Sequence, residues 1–270
     1  MITWISSYPK SGNTWVRSFL TSYLYGDEKF SLNDIKKIGK FPSLKLFEEL
    51  KIDFTNFENI AANWIAMQDF INLKNKNVFL KTHNALVTLN KYKFTNTNNT
   101  IGFIYLVRDP RDVVLSYSSH LGLNSKDTFM LMQNDLSFET IKSDIDHKGV
   151  MLGSWASNYN SWKSFKSVKG LILRYEDLVL DTENSFLKII KHLNETNNIQ
   201  IDLNKIKKSL KITNFENLKD LETTDGFSEA GKNPFFRKGK IGDWKDNLDP
   251  EITKQIEKVF NKEMKELKYL

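Results

Sequence analysis

The chain has 270 residues, 40% of them hydrophobic, no cysteine and a formal net charge of +6. That length suits one large α/β domain, which buries about three-quarters of the surface its unfolded chain exposes. The lack of cysteine excludes disulfides, thiolate metal sites and thiol nucleophiles, and no apolar run reaches the roughly 20 residues of a membrane helix.

Lys10 interrupts the apolar start too early for a secretory signal, so the expected location is cytoplasmic. The basic excess suits anionic ligands. Basic and aromatic residues are not interleaved as a nucleic-acid surface requires, and the stretches Lys36 to Lys45 and Lys205 to Lys211 read as solvated helix faces.

The first element is a short apolar strand, 2–6, followed by Tyr8-Pro9-Lys10-Ser11-Gly12-Asn13-Thr14-Trp15. A strand, a tight polar turn carrying a lysine and then a helix form a phosphate cradle. Backbone N–H groups converge in such a turn, and the helix N-terminus adds about half a positive charge. The order differs from the nucleoside-triphosphatase pattern G-x-x-x-x-G-K-[ST], because lysine precedes Gly12 and no leading glycine is present.

Residues 27–76 are rich in aromatics (Phe41, Phe47, Phe54, Phe57, Trp64, Phe70) and are expected to help form one side of a ligand site, as is the stretch Leu121 to Met132. A second strand, 78–81, leads into Lys81-Thr82-His83. The polar run 94–100 reads as a loop before a third strand, 101–107. Arg108 follows, then Asp109-Pro110, the cap and first residue of a helix to about His120.

A fourth strand, 171–174, precedes Tyr175, and Asp181 is placed to cap a helix with Phe186, Leu187, Ile190 and Leu193 inward. From about 219 to 236 the pattern loses periodicity, and Gly226, Gly231 and Pro234 mark a mobile loop. Asp249-Pro250 opens a last helix facing inward through Ile252, Ile256, Phe260, Met264 and Leu267. No repeat or linker divides the chain.

Strands alternating with helical patterns predict one α/β domain over 1–270, P-loop-like, with a central parallel sheet flanked by helices on both faces. Ligands of such sheets bind at the carboxyl ends of the strands. Lys10, His83, Arg108 and Tyr175 each stand at or just past such an end, so they are expected to share one site.

The octapeptide Tyr8 to Trp15 resembles the first signature of sulfotransferases that use 3′-phosphoadenosine 5′-phosphosulfate (PAPS). Three later segments match further signatures of that family in order: Tyr105 to Tyr117, Leu173 to Leu178, and Arg237 to Lys245. The Lys81-Thr82-His83 segment resembles the soluble, small-molecule branch. The resemblance implies that the turn Lys10, Ser11, Gly12, Asn13 and Thr14 holds the 5′ side of the donor, with Lys10 reaching the leaving oxygen. It implies that Arg108, Ser116, Arg237, Lys238 and Gly239 hold the 3′-phosphate. Trp15, Phe215, Thr213 and Tyr175 match positions around the adenine.

His83 matches the family's general base, and an imidazole with a reference pKa of about 6.5 is mostly neutral at pH 7. Lys81 is expected to stabilise the transferring sulfonyl oxygens. His120, His147 and His192 read as structural or incidental, Arg111 and Asp112 as a surface ion cluster, and Trp155 and Trp162 as structural. No metal is expected, because the cations already supply the electrostatics.

The family's dimer pattern after the tryptophan–lysine pair is not kept: Asp249-Pro250 stands where Thr-Val would fall and Lys254 where Glu would fall. The animal cytosolic members carry a few dozen residues before the first strand, and this sequence starts at that strand, so their acceptor pocket is not carried over. The expected reaction is sulfonate transfer to a hydroxyl of a small, partly apolar acceptor. The alternatives are a carbohydrate or lipid-linked acceptor with a glutamate base, an ATP-using kinase, and a non-catalytic nucleotide-binding module.

Overall fold

A computed structural model describes residues 1–26, 30–74, 77–141, 147–230 and 233–270, without the side chains of 141, 147 and 148. His147, Gly231 and parts of the 27–76 stretch therefore lie, as side chains or whole, outside the described residues.

The central sheet is built from β1 (Ile2–Ser7), β2 (Gly39–Lys40), β3 (Val78–Thr82), β4 (Thr100–Val107) and β5 (Lys169–Arg174). Their order is β2-β3-β1-β4-β5, all parallel. The chain moves from the central β1 to one side and returns to β4 on the other, so the switch point falls at the carboxyl end of β1. Four of these strands match the sequence expectation. The two-residue β2 is too short to leave a periodic signal.

Both faces of the sheet are covered, and alternation along each strand decides which residue goes where. Trp4, Phe103, Tyr105 and Val107 join Trp64, Phe94, Trp155, Tyr159 and Trp162 in one core. Ile5, Ile104 and Leu106 join Val16, Phe19, Phe186, Ile189 and Leu193 in the other. Trp155 and Trp162 are fully buried, and truncating a side chain of that size costs about 3–5 kcal/mol. Their structural reading stands.

Asp109 caps the helix Pro110–Leu121 by accepting the Arg111 N–H. Asp181 occupies the N-cap of the helix Thr182–Asn197, but its carboxylate takes Asn184 rather than a backbone N–H. The last helix is two segments, Pro250–Val259 and Asn261–Glu266, which break at Phe260. The expected loop from 219 is corrected in its first part, because residues through Asp225 belong to the helix Phe215–Asp225, capped by Asn214.

Arg111 and Asp112 are not a surface cluster. Arg111 is 5% exposed and grips Asp109, Glu257 and the Tyr269 carbonyl, while Asp112 accepts from the Gly242 and Trp244 N–H groups. The two residues tie the start of the helix Pro110–Leu121 to the C-terminal segments. No helix among the described residues is long and apolar enough to cross a membrane.

Candidate active site

The carboxyl ends of β1, β3, β4 and β5 open into a cavity of about 700 Å³. Lys10, Gly12, Asn13, Thr14 and Trp15 line it from the first turn. Lys81 and His83 line it from the end of β3, Arg108 and Ser116 from the end of β4 and the helix behind it, and Tyr175 from the end of β5. Phe215, Arg237, Lys238 and Gly239 close the remaining side.

The first turn holds an unusual backbone. Lys10 (φ 63) and Gly12 (φ 96) both have left-handed torsions, on either side of Ser11. Alternation of this kind turns successive N–H groups inward. Gly12 is also the N-cap of the helix Asn13–Tyr25 and offers no side-chain cap, so the first amides of that helix face the turn. A Cβ at Gly12 would lie 2.7 Å from the Tyr175 ring. Asn13 directs its amide inward, to Ile5 O and the Ser7 hydroxyl, and so braces the turn. The Ser11 hydroxyl is buried with no hydrogen-bond partner among the described residues.

Arg108 is held by four groups. It donates to the carbonyls of Lys10 and Lys240, sits 3.9 Å from Asp112, and lies 4.4 Å from the centre of the Tyr175 ring. Tyr175 in turn donates to Gly239 O. Gly239 (φ 63) passes so close to Phe215 that a Cβ there would meet the ring at 2.6 Å. Lys238 and Arg237 both pair with Asp243. Trp15 packs edge-on against Tyr175 and Phe186.

Thr213 is the one predicted base contact that stays outside the cavity. It is fully buried, and its hydroxyl donates to Ser209 O in the last turn of its own helix. Ser11 is likewise behind the cavity wall, at 0% exposure.

His83 Nδ1 lies 2.7 Å from Ser7 O, so that nitrogen carries the proton and donates. Nε2 is left as the basic nitrogen on a residue that lines the cavity. Burial, then Lys81, hold the imidazole well below its ordinary pKa, and it is neutral at pH 7. Lys10 is pushed down to about 7 by burial and by Arg108, with Lys81 and Arg237 adding to the effect. Lys81, 7% exposed, is pushed down to about 8 by burial, against which Glu229 and Glu139 act.

Several cavity residues escaped the sequence reading: Lys40, His120, Glu139, Glu229 and Phe235. His120 stands in the wall beside the Tyr117 and Phe235 rings. Lys40 could have been found only from its place beside Lys81. Of the aromatics in 27–76, Phe41, Phe47 and Trp64 are buried in the core, and from that stretch Lys40 lines the cavity. The apolar wall is formed instead by Tyr117, Leu121, Leu123, Leu131 and Phe138. Buried His192 is not among the residues that line the cavity. No cluster of potential metal ligands occurs among the described residues.

A parallel sheet whose central strand feeds a lysine-bearing anion turn, with an arginine and a histidine on the neighbouring strand ends, defines a P-loop-like group-transfer enzyme. Residues 2–268 match the family described as Sulfotransferase domain, and the chain belongs to that family. It is 27% identical to Sulfotransferase 1E1 of Homo sapiens over 274 residues, 97% of this chain and 83% of that protein. It is 24% identical to Cytosolic sulfotransferase 17 of Arabidopsis thaliana, over 97% of this chain and 73% of that one.

Among solved structures, mouse sulfotransferase SULT7A1 complexed with PAP has a TM-score of 0.62 at 20% identity, covering 97% of this chain and 84% of that one. Retinol dehydratase in complex with retinol and PAP has a TM-score of 0.63 at 21% identity, covering 98% and 81%. These two similarities establish the shared fold.

Proposed function

We propose that the enzyme transfers the sulfonate of PAPS to a hydroxyl of a small acceptor, with His83 as general base. The observation that carries this reading is the convergence of Lys10, His83 and Arg108 on one cavity from three adjacent strand ends. The cradle suits a phosphate on its own evidence, since it combines left-handed backbone at Lys10 and Gly12 with an uncapped helix start.

When bound, PAPS supplies an activated sulfur attached to a good leaving phosphate. The chain's residues do the rest. His83 Nε2 takes the proton of the acceptor hydroxyl as that oxygen bonds to sulfur, and the bond from sulfur to the bridging phosphate oxygen breaks. Lys10 neutralises the charge that grows on the leaving phosphate, and Lys81 faces the sulfonyl oxygens. Arg108 and Ser116 receive the 3′-phosphate, with Arg237, Lys238 and Gly239 on its outer side. Trp15, Tyr175 and Phe215 enclose the base. The acceptor lies toward Tyr117, Leu121 and Phe138. A cytoplasmic location, as in the names of the plant relatives, belongs to the same reading.

The glutamate-base alternative has one specific support, because Glu139 lines the cavity. Glu229 is unsuited to that role: burial acts against ionisation, but Lys81, Arg17 and Lys40 outweigh it and hold the carboxyl at about 2. Comparing turnover of Glu139→Gln with that of His83→Gln separates the two readings.

Thermal unfolding with adenosine 3′,5′-bisphosphate tests the donor site, with magnesium ATP and AMP as controls. At 100-fold excess over the dissociation constant the bisphosphate adds ~2.7 kcal/mol, a shift on the order of 5 °C or more. A shift with magnesium ATP alone would overturn the proposal.

A further inference from the structure

A second group of cations adjoins the cavity and has no part in the reaction above. Arg17, on the helix Asn13–Tyr25, is 1% exposed. Its Nη2 donates to the carbonyls of Ile35 and Ile38, which lie just before β2. Its Nη1 donates to both carboxylate oxygens of Glu229, at 2.9 and 3.1 Å, and its Nε has no partner among the described residues. Lys40 Nζ stands 3.7 Å from the same carboxylate.

The sheet register brings this group to the chemistry. Lys40 of β2 pairs with Lys81 of β3, two residues before His83. Lys40 and Arg17 also figure among the charges acting on both Lys81 and His83. Lys40 and Glu229 line the cavity, whereas Arg17 stands behind Glu229.

Charge decides what this side of the cavity favours. Arg17, Lys40 and Lys81 face Glu229 and Glu139, so positive charge is in excess. A buried guanidinium requires an anion, because desolvation without one is costly. Glu229 meets it through a single nitrogen rather than the two-nitrogen fork that makes arginine–carboxylate pairs strong. It is a resident counter-ion in a replaceable arrangement.

We propose that Arg17 and Lys40 form an anion subsite for the acceptor, which carries a carboxylate besides the hydroxyl that is sulfonated, and that this carboxylate takes the place of Glu229. The inference rests on the reading of the cavity as a sulfotransferase site.

The test is calorimetric binding of three probes that share one ring: 4-hydroxybenzoate, 4-hydroxybenzyl alcohol and tyramine. Each is titrated into the full chain saturated with adenosine 3′,5′-bisphosphate. The expected result is that the benzoate binds about tenfold or more tighter than the alcohol, with tyramine weakest. Lys40→Ala, at an exposed position, should bring acid and alcohol to within about threefold. Glu229→Gln should tighten the benzoate and leave the alcohol unchanged. Equal binding of acid and alcohol, tightest binding of tyramine, or no benzoate binding overturns the subsite.

The bisphosphate thermal shift of each variant, expected to match the unsubstituted chain, keeps the two readings apart. Loss of that shift in the unsubstituted chain strikes the donor assignment. Loss of acid preference with the shift intact strikes only the subsite.

Discussion

The Lys10 ammonium lies 3.5 Å from the centre of the Phe235 ring. The ring is held there because Glu222 accepts the backbone N–H groups of Phe235 and Phe236. A cation under an aromatic face, with Arg108, Lys81 and Arg237 nearby, has little water to stabilise it, and its pKa falls to about 7. At pH 8 roughly nine-tenths of Lys10 is then neutral in the free protein.

A phosphate in the cradle favours the charged form. Binding of adenosine 3′,5′-bisphosphate at pH 8 should therefore take up close to one proton, and the dissociation constant should rise above pH 7 by up to about tenfold per pH unit. Calorimetry in two buffers of different ionisation enthalpy measures the uptake; a value of zero would separate Lys10 from the phosphate. The sign for stability follows from the same shift. The folded pKa lies below the unfolded one, so this lysine disfavours the ligand-free fold most below about pH 7. That disfavour is relieved as pH rises toward 10.5.

His83→Gln should lower kcat by ~10²–10⁴-fold while the thermal shift with the bisphosphate stays as it was. Because burial, then Lys81, hold the imidazole pKa well below its ordinary value, the acid limb of the kcat/KM profile should lie below the ordinary histidine value. Turnover within a few-fold of the unsubstituted enzyme, or an acid limb at the ordinary histidine value, counts against His83 as base.

Arg108→Ala removes a cation from the proposed 3′-phosphate site and also two donors that link the Lys10 and Lys240 carbonyls. Bisphosphate affinity should drop by about tenfold to a hundredfold, as expected for a charge-assisted contact worth ~1.5–3 kcal/mol. AMP binding should change less. Equal losses for the two nucleotides would show that Arg108 organises the turn without meeting the 3′-phosphate.

Gly12→Ala should destabilise the fold by about 2–4 kcal/mol, from left-handed backbone strain together with overpacking against Tyr175. Urea unfolding reads the change directly. A loss below about 1 kcal/mol would mean that the Tyr175 ring moves aside freely.

What the sequence disclosed follows from where its signals are local. The strand ends at Lys10, His83, Arg108 and Tyr175 were legible because an apolar run stops at a polar turn, and Asp109-Pro110 marks its helix by cap chemistry alone. Lys40, Glu229 and Phe235 were illegible because they come from a two-residue strand and an aperiodic stretch, and only tertiary packing brings them to the cavity. Thr213 lies behind the cavity wall because a threonine at the end of a helix can bond back to a carbonyl four residues earlier, and here it does. Arg111 and Asp112 looked solvated because adjacent charges usually are. Their burial depends on Glu257, Tyr269 and Gly242, more than a hundred positions away.

The Tyr175 ring fills the space that any side chain at position 12 would need, and it lies beneath Arg108. Loops leaving three different strands thus lean on one another like the stones of an arch, and none can be recut alone. Room for diversification lies across the cavity, where Leu123 and Leu131 are 42% and 40% exposed. Under the proposed reading, a library confined to that wall would explore new acceptors while the proposed nucleotide half stayed fixed.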